Sequence, residues 1–244
     1  MNAESTNIVS KHAHRGQMIA VLLLSIAVTV LLYYVPYGPV IGRPLILFST
    51  FAHEMGHGLA ALVMGGDFLN FKMWLDASGV ATTAVPDTRL SRAVVSMGGL
   101  IGPALLSTVI FALATKPRWA RWVLGGFGVL CALSVILVVR NLFGIIFVLG
   151  CALFMITIAK FASHRIAHFV LVFLGTQLAL SVFSRADYLF SATAKTTQGD
   201  FPSDVANIAN ALFLPYWFWG GLIALLSAGL LLIGCWLYYR ALDA

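Results

Sequence analysis

The chain has 244 residues, of which 60% are hydrophobic and 10% are charged, and its formal net charge is +6. Because a soluble domain has about 25% charged residues, this composition excludes an ordinary soluble fold and indicates a protein embedded in lipid. The positive charge does not indicate a nucleic-acid-binding protein, since the Lys and Arg residues are scattered at the ends of apolar stretches and form no basic patch.

Apolar stretches of membrane-spanning length recur along the chain, and a bilayer core needs about 20 residues of helix. We predict a polar amino-terminal tail, residues 1–17, and a single membrane-embedded domain, residues 18–244. The fold class is an all-α polytopic membrane protein with six to seven transmembrane helices and one small β-hairpin. The predicted spans are residues 18–35, 45–64, 93–115, 122–139, 143–159, 166–183 and 215–239.

Two features of this topology stay open. The fourth and fifth spans are short and adjacent, so residues 122–159 form either two full spans or a hairpin that does not fully cross. The orientation is not settled, because a cytoplasmic amino terminus would divide the Lys and Arg residues almost evenly between the two sides.

The second span contains the motif His53-Glu54-Met55-Gly56-His57. Residues four apart lie on one face of a helix, so both imidazoles can reach one Zn²⁺ while Glu54 acts beside it as a general base. A zinc ion held there activates water for attack on a carbonyl, and the implied reaction is amide hydrolysis. An ionisable residue in a membrane helix costs at least about 2.5 kcal/mol and usually marks a functional site.

A β-hairpin is predicted over residues 65–89, directly after the motif helix. Two short runs, residues 68–75 and 79–85, flank the turn sequence Asp76-Ala77-Ser78-Gly79. Non-helical backbone at membrane depth must be buried in protein or line a cavity. We therefore expect this hairpin to pack against the helices or to line a cavity.

The third zinc ligand is expected in the polar loop, residues 184–214, which also contains a predicted short helix, residues 203–211, capped by Ser203. A catalytic zinc usually has three protein ligands and a water, and the motif supplies two. Asp200 and Asp204 are the main candidates, and Asp187 is a weaker one. Each aspartate could otherwise be a solvated loop or helix-capping residue.

Taken together, these motifs resemble the site-2 protease class of intramembrane zinc metalloproteases, in its small bacterial branch without a PDZ domain (peptidase M50B-like). The resemblance rests on His53–Gly58 in a membrane helix and on the hairpin that follows it. It extends to Gly98-Gly99-Leu100-Ile101-Gly102-Pro103 in the next span and to Ser203-Asp204-Val205-Ala206-Asn207 in the polar loop.

The resemblance implies that Asp204, and not Asp200, is the third zinc ligand. It also implies that the hairpin edge holds an extended substrate by strand addition, with Gly79, Val80, Ala81 and Thr82 as the candidate strand. The implied partners are the lipid bilayer and a membrane-anchored protein substrate, without nucleic acid. The implied location is a bacterial inner membrane, which the chain crosses several times.

The sequence therefore predicts a zinc metalloendopeptidase in which Glu54 is the general base and His53, His57 and Asp204 are the metal ligands. One alternative is a noncatalytic zinc-binding membrane scaffold or chaperone, which would use the same metal site for structure. Another is a transporter with intramembrane His and Asp residues along an ion path, although the inverted repeats typical of transporters are not visible.

Overall fold

Apolar runs of the sequence form helices along most of the chain in the computed structural model, which describes residues 16, 19–31, 34–184, 186–196 and 199–240. The predicted polar tail therefore lies almost entirely outside the described residues. The helices are α1 (Ile19–Leu31), α2 (Gly38–Ile41), α3 (Arg43–Val63), α4 (Arg89–Leu113), α5 (Ala120–Leu137), α6 (Leu142–Phe161), α7 (His164–Ser184), α8 (Ala186–Leu189), α9 (Asp204–Leu212) and α10 (Tyr216–Arg240). The strands are β1 (Asp67–Met73), β2 (Gly79–Ala84), β3 (Thr193–Thr196) and β4 (Gly199–Pro202).

Five of the described helices are long and apolar enough to cross a membrane, namely α4, α5 with the turn before it, α6, α7 and α10. Because α5 and α6 each reach this length, residues 122–159 form two separate helices of spanning length. The prediction of six to seven spans also counted α1 and α3, which are not among the five. The all-α polytopic fold with a β-hairpin after the motif helix is confirmed.

Helices α3 and α4 cross at very short distance because glycines face each other there. A Cβ added to Gly56 would overlap the carbonyl oxygen of Gly98, and one added to Gly102 would lie 2.9 Å from the carbonyl oxygen of Ala52. Small residues allow membrane helices to approach closely and gain van der Waals contact. Gly56 therefore serves helix packing, and it brings the motif helix against α4.

The two edges of the first hairpin have different neighbours. The edge of β1 is hydrogen-bonded to the segment after α5, and the edge of β2 faces the motif helix α3. On β1, the Phe71 N–H donates to the carbonyl of Val138 and the Phe71 carbonyl accepts from the Arg140 N–H. Phe71 lies opposite Ala81 on β2, and antiparallel pairs alternate between exchanging both hydrogen bonds and exchanging none. Since Phe71 bonds away from β2, the Ala81 N–H and carbonyl point away from β1.

The polar loop contains a second hairpin, formed by β3 and β4, that the sequence did not predict. It ends at Ser203, whose N–H donates to the Ala192 carbonyl and whose Oγ donates to the Ser191 carbonyl. The Ser203 Oγ also accepts from the Ala206 N–H, so it caps α9 as predicted. Val205 and Ile208 of α9 are fully buried in an apolar cluster and fix this helix in the molecule.

Candidate metal centre

One nitrogen of each motif histidine and one carboxylate oxygen of Asp204 meet in a small triangle. The His53 Nε2 and His57 Nε2 atoms lie 3.1 Å apart. The Asp204 Oδ2 lies 3.1 Å from His53 Nε2 and 3.4 Å from His57 Nε2. Among the described residues, this is the one group of three or more His, Cys, Asp or Glu side chains close enough to hold a metal ion.

Helix α3 supplies the two histidines, and helix α4 fixes the second of them. The His57 Nδ1 lies 2.8 Å from the carbonyl oxygen of Val95, to which it donates its proton. This hydrogen bond fixes the ring so that Nε2 faces the triangle, the arrangement usual for a metal-binding histidine. A Cβ added to Gly99 would overlap the His57 ring, so the backbone of α4 lies directly against the imidazole.

Asp204 reaches the histidines because it is the first residue of α9, directly after the Ser203 cap. Asp200 lies on β4, is exposed and does not belong to the triangle. The side chain of Asp187, the weaker candidate, lies outside the described part of the chain. The structure thus brings together the two motif histidines and the aspartate that the resemblance selected.

Tyr188 on α8 is a site residue that the sequence did not reveal. Its hydroxyl donates to the Asp204 Oδ2 over 3.1 Å, and its ring meets the His53 ring edge-on with centroids 6.2 Å apart. A single tyrosine in a polar loop, 16 positions before the aspartate, carries no pattern from which this contact could be read.

The buried carboxylate of Asp204 is ionised in this environment. Burial opposes its charge, but the adjacent His57 and His53 imidazoles outweigh burial and hold its pKa below the usual range. For Tyr188, burial and then the Asp204 charge raise the pKa above the usual range. The tyrosine therefore keeps its proton and acts as the donor in the pair.

Glu54 is buried beside the triangle and in contact with β2. Its carboxylate interacts with the Ala81 N–H, the group that points away from β1. A Cβ added to Gly79 would lie 2.8 Å from the Glu54 Oε1, so the strand backbone is in close contact with the acid. These two contacts fix the position of the carboxylate relative to the two histidines.

A cavity of about 680 Å³ opens onto these side chains. Three of the four predicted substrate-strand residues line it, namely Gly79, Val80 and Ala81, whereas Thr82 instead donates from Oγ1 to Asn70 Oδ1. The second hairpin lines the cavity with residues of both strands, Thr193, Ala194, Thr196, Phe201 and Pro202. An extended segment in the cavity would thus have hairpin residues from both sheets around it.

The donor set fits zinc. Bonds from zinc to nitrogen or oxygen are about 2.0–2.1 Å long, which puts tetrahedral ligand atoms about 3.3 Å apart. The three atoms are separated by 3.1, 3.1 and 3.4 Å. Two imidazoles and one carboxylate are a ligand set of catalytic zinc sites, which leave the fourth position for water or substrate.

Comparison with known proteins identifies a family to which this sequence is similar. The sequence profile of the family described as Peptidase M50B-like matches residues 19–234, which include the motif helix, both hairpins and Asp204. Neither the curated proteins nor the solved structures gave a match. Five of the described helices are long and apolar enough to cross a membrane. Because the profile covers most of the chain, the protein belongs to the Peptidase M50B-like family.

Proposed function

We propose that this protein is an intramembrane zinc metalloendopeptidase, which hydrolyses peptide bonds of membrane-associated protein substrates. The observation that carries the proposal is the triangle of His53 Nε2, His57 Nε2 and Asp204 Oδ2, with sides of 3.1–3.4 Å, next to the buried Glu54. Three ligands and an adjacent carboxylate, open to a cavity, are the parts that metal-assisted amide hydrolysis requires.

The residues of the site have separate tasks. His53, His57 and Asp204 hold the metal, and bound zinc supplies Lewis acidity that polarises a carbonyl and acidifies water. Glu54 accepts a proton from the attacking water and delivers it to the leaving amine. The backbone of β2 at Gly79 lies in close contact with the Glu54 carboxylate and keeps it beside the histidines.

The substrate in this proposal is a membrane-anchored protein in extended conformation. An extended peptide can lie along the β2 residues that line the cavity, so a helical segment of the substrate has to unwind before it is cut. The cavity beside Gly79, Val80 and Ala81 offers the place for it. We place the protein in a bacterial inner membrane, with the bilayer and this substrate as its partners.

Replacement of Glu54 by Gln tests the function. The purified protein and the variant are reconstituted in proteoliposomes with a panel of single-span reporter peptides that carry a fluorophore and a quencher. We expect E54Q to retain its zinc and to lose cleavage by at least about 100-fold, the lower end of what a general base contributes. Glu4→Gln makes the same chemical change in the amino-terminal tail and serves as the matched control.

Two results would contradict the proposal. Cleavage by E54Q at the rate of the E4Q control would exclude Glu54 as the general base. The second result concerns the purified wild-type protein. If it binds zinc but cleaves none of the peptides, although a membrane extract that contains the protein does cleave them, the result would instead indicate a noncatalytic zinc-binding scaffold or chaperone.

A further inference from the structure

We propose that Tyr188 is a positioning residue of the metal centre, whose hydroxyl fixes the Asp204 carboxylate in the orientation that completes the ligand set. This inference rests on the proposed zinc site. Tyr188 Oη lies 3.1 Å from Asp204 Oδ2, the same oxygen that lies 3.1 Å from His53 Nε2. One carboxylate oxygen thus faces the metal position and the tyrosine hydroxyl together.

The segment between Tyr188 and Asp204 keeps these two residues close together. The Asp204 N–H lies 3.4 Å from the Tyr188 Oη, so the backbone of α9 also contacts the hydroxyl. Ser203, next to Asp204, is bonded through its N–H and its Oγ to the backbone that follows α8. The second hairpin therefore closes a loop whose two ends meet at the pair of Tyr188 and Asp204.

Helix α8 is itself fixed against the rest of the protein. A Cβ added to Gly220 of α10 would overlap the carbonyl oxygen of Leu189, so the α10 backbone lies directly against the residue after Tyr188. Tyr188 also packs against the apolar cluster that contains Val205 and Ile208 of α9. The position of the hydroxyl is thus fixed by the packing of α8 against α10 as well as by its contacts with α9.

A defined hydroxyl matters because a carboxylate alone does not fix its own orientation. It offers roughly four lone-pair sites, and its terminal torsion is soft. Outer hydrogen-bond partners orient ligands of this kind, and their removal typically lowers metal affinity by about 10–100-fold. Among the described residues, Tyr188 is the side chain outside the triangle that bonds to Asp204 Oδ2.

Measurement of zinc affinity with Tyr188→Phe tests the inference. The full-length protein in detergent micelles competes for zinc with a chromogenic chelator, without substrate, and Co²⁺ replaces zinc in a parallel spectroscopic titration. We expect Y188F to bind zinc about 10–100-fold more weakly and to shift the visible Co²⁺ bands, with an unchanged unfolding midpoint of the metal-free protein. Tyr216→Phe is the matched control, because it removes a hydroxyl from a ring in the same apolar cluster.

The possible outcomes separate this inference from the proposed function. Zinc affinity of Y188F equal to that of the wild type and of Y216F overturns the inference and leaves the protease proposal intact. A wild-type protein without zinc affinity overturns both. If Y188F also unfolds more easily, a second variant with 4-aminophenylalanine at position 188 restores a hydrogen-bond donor on the same ring. Recovery of zinc affinity in this variant supports the positioning role. Zinc affinity as weak as in Y188F overturns it.

Discussion

At the scale of single residues, Asp200 and Asp204 lie four positions apart and occupy different environments. Asp204 is buried at the triangle, whereas Asp200 is exposed on β4. We predict that Asp204→Asn lowers zinc affinity by more than about 100-fold, because loss of a ligand exceeds the 10–100-fold effect of an outer partner. The measurement is zinc content per protein after dialysis against metal-free buffer.

Asp200→Asn is the matched control for that variant, since it neutralises a carboxylate in the same polar loop. We expect D200N to retain zinc as the wild type does. If D204N retained zinc and D200N lost it, the third ligand would be Asp200 and not Asp204.

Gly79 is a second residue where a small change has a specific expected result. In Gly79→Ala, the new methyl would lie 2.8 Å from both Glu54 Oε1 and Thr50 Cγ2, so the acid has to move. A displacement of about 1 Å can cost about 100-fold in rate. We predict that G79A lowers kcat by about 10–100-fold while zinc content stays at the wild-type level.

Gly126→Ala on α5 is the control for Gly79→Ala, because a Cβ added there meets nothing within 4 Å. It should leave both kcat and zinc content unchanged. A G79A protein with the kcat of G126A would show that contact with β2 does not position Glu54.

At the scale of elements, the crossing of α3 and α4 brings the motif helix against the backbone that fixes His57. In Gly56→Ala, the methyl would overlap the backbone carbonyl of Gly98, which cannot rotate away as a side chain would. Overpacking of this kind costs about 1–3 kcal/mol. We predict a decrease of this size in the free energy of unfolding, measured by denaturant titration in mixed micelles.

Gly150→Ala on α6 makes the same substitution at a site where the added Cβ meets nothing within 4 Å. We expect it to leave the free energy of unfolding unchanged or slightly raised, since alanine favours helix over glycine by about 1 kcal/mol. An equal loss of stability in G56A and G150A would contradict a specific role for the crossing.

The elements that the sequence revealed are those with a strong local pattern. The first hairpin has two runs on either side of a turn sequence, and its observed strands, Asp67–Met73 and Gly79–Ala84, lie close to the predicted residues. The second hairpin has strands of four residues each, Thr193–Thr196 and Gly199–Pro202. Strands this short show no measurable alternation of apolar and polar residues, so no local pattern predicts them.

The site was predictable to the extent that its residues lie near each other in sequence. His53 and His57 share a helical face, so their meeting follows from helix geometry. Asp204 and Tyr188 reach them only through the packing of α9 and α8, which no local spacing encodes. The resemblance selected Asp204, but no feature of the sequence alone indicated Tyr188.

At the scale of the whole molecule, the triangle joins segments that are far apart in the chain. The two histidines belong to α3, near the amino-terminal end of the described chain, and Asp204 begins α9, which packs near α10. The relative positions of the three ligand atoms therefore depend on the packing between these distant helices. Metal binding and the stability of the folded protein should depend on each other.

We therefore predict that zinc stabilises the whole protein against thermal unfolding. A ligand that binds only the folded state at 100 times its Kd contributes about 2.7 kcal/mol. The unfolding midpoint in detergent should rise on addition of zinc to the metal-free protein and fall again with a chelator. Magnesium should have no effect, because it prefers oxygen ligands and octahedral geometry. D204N should show no shift with either ion, and an equal zinc-induced shift in D204N would place the stabilising metal away from this triangle.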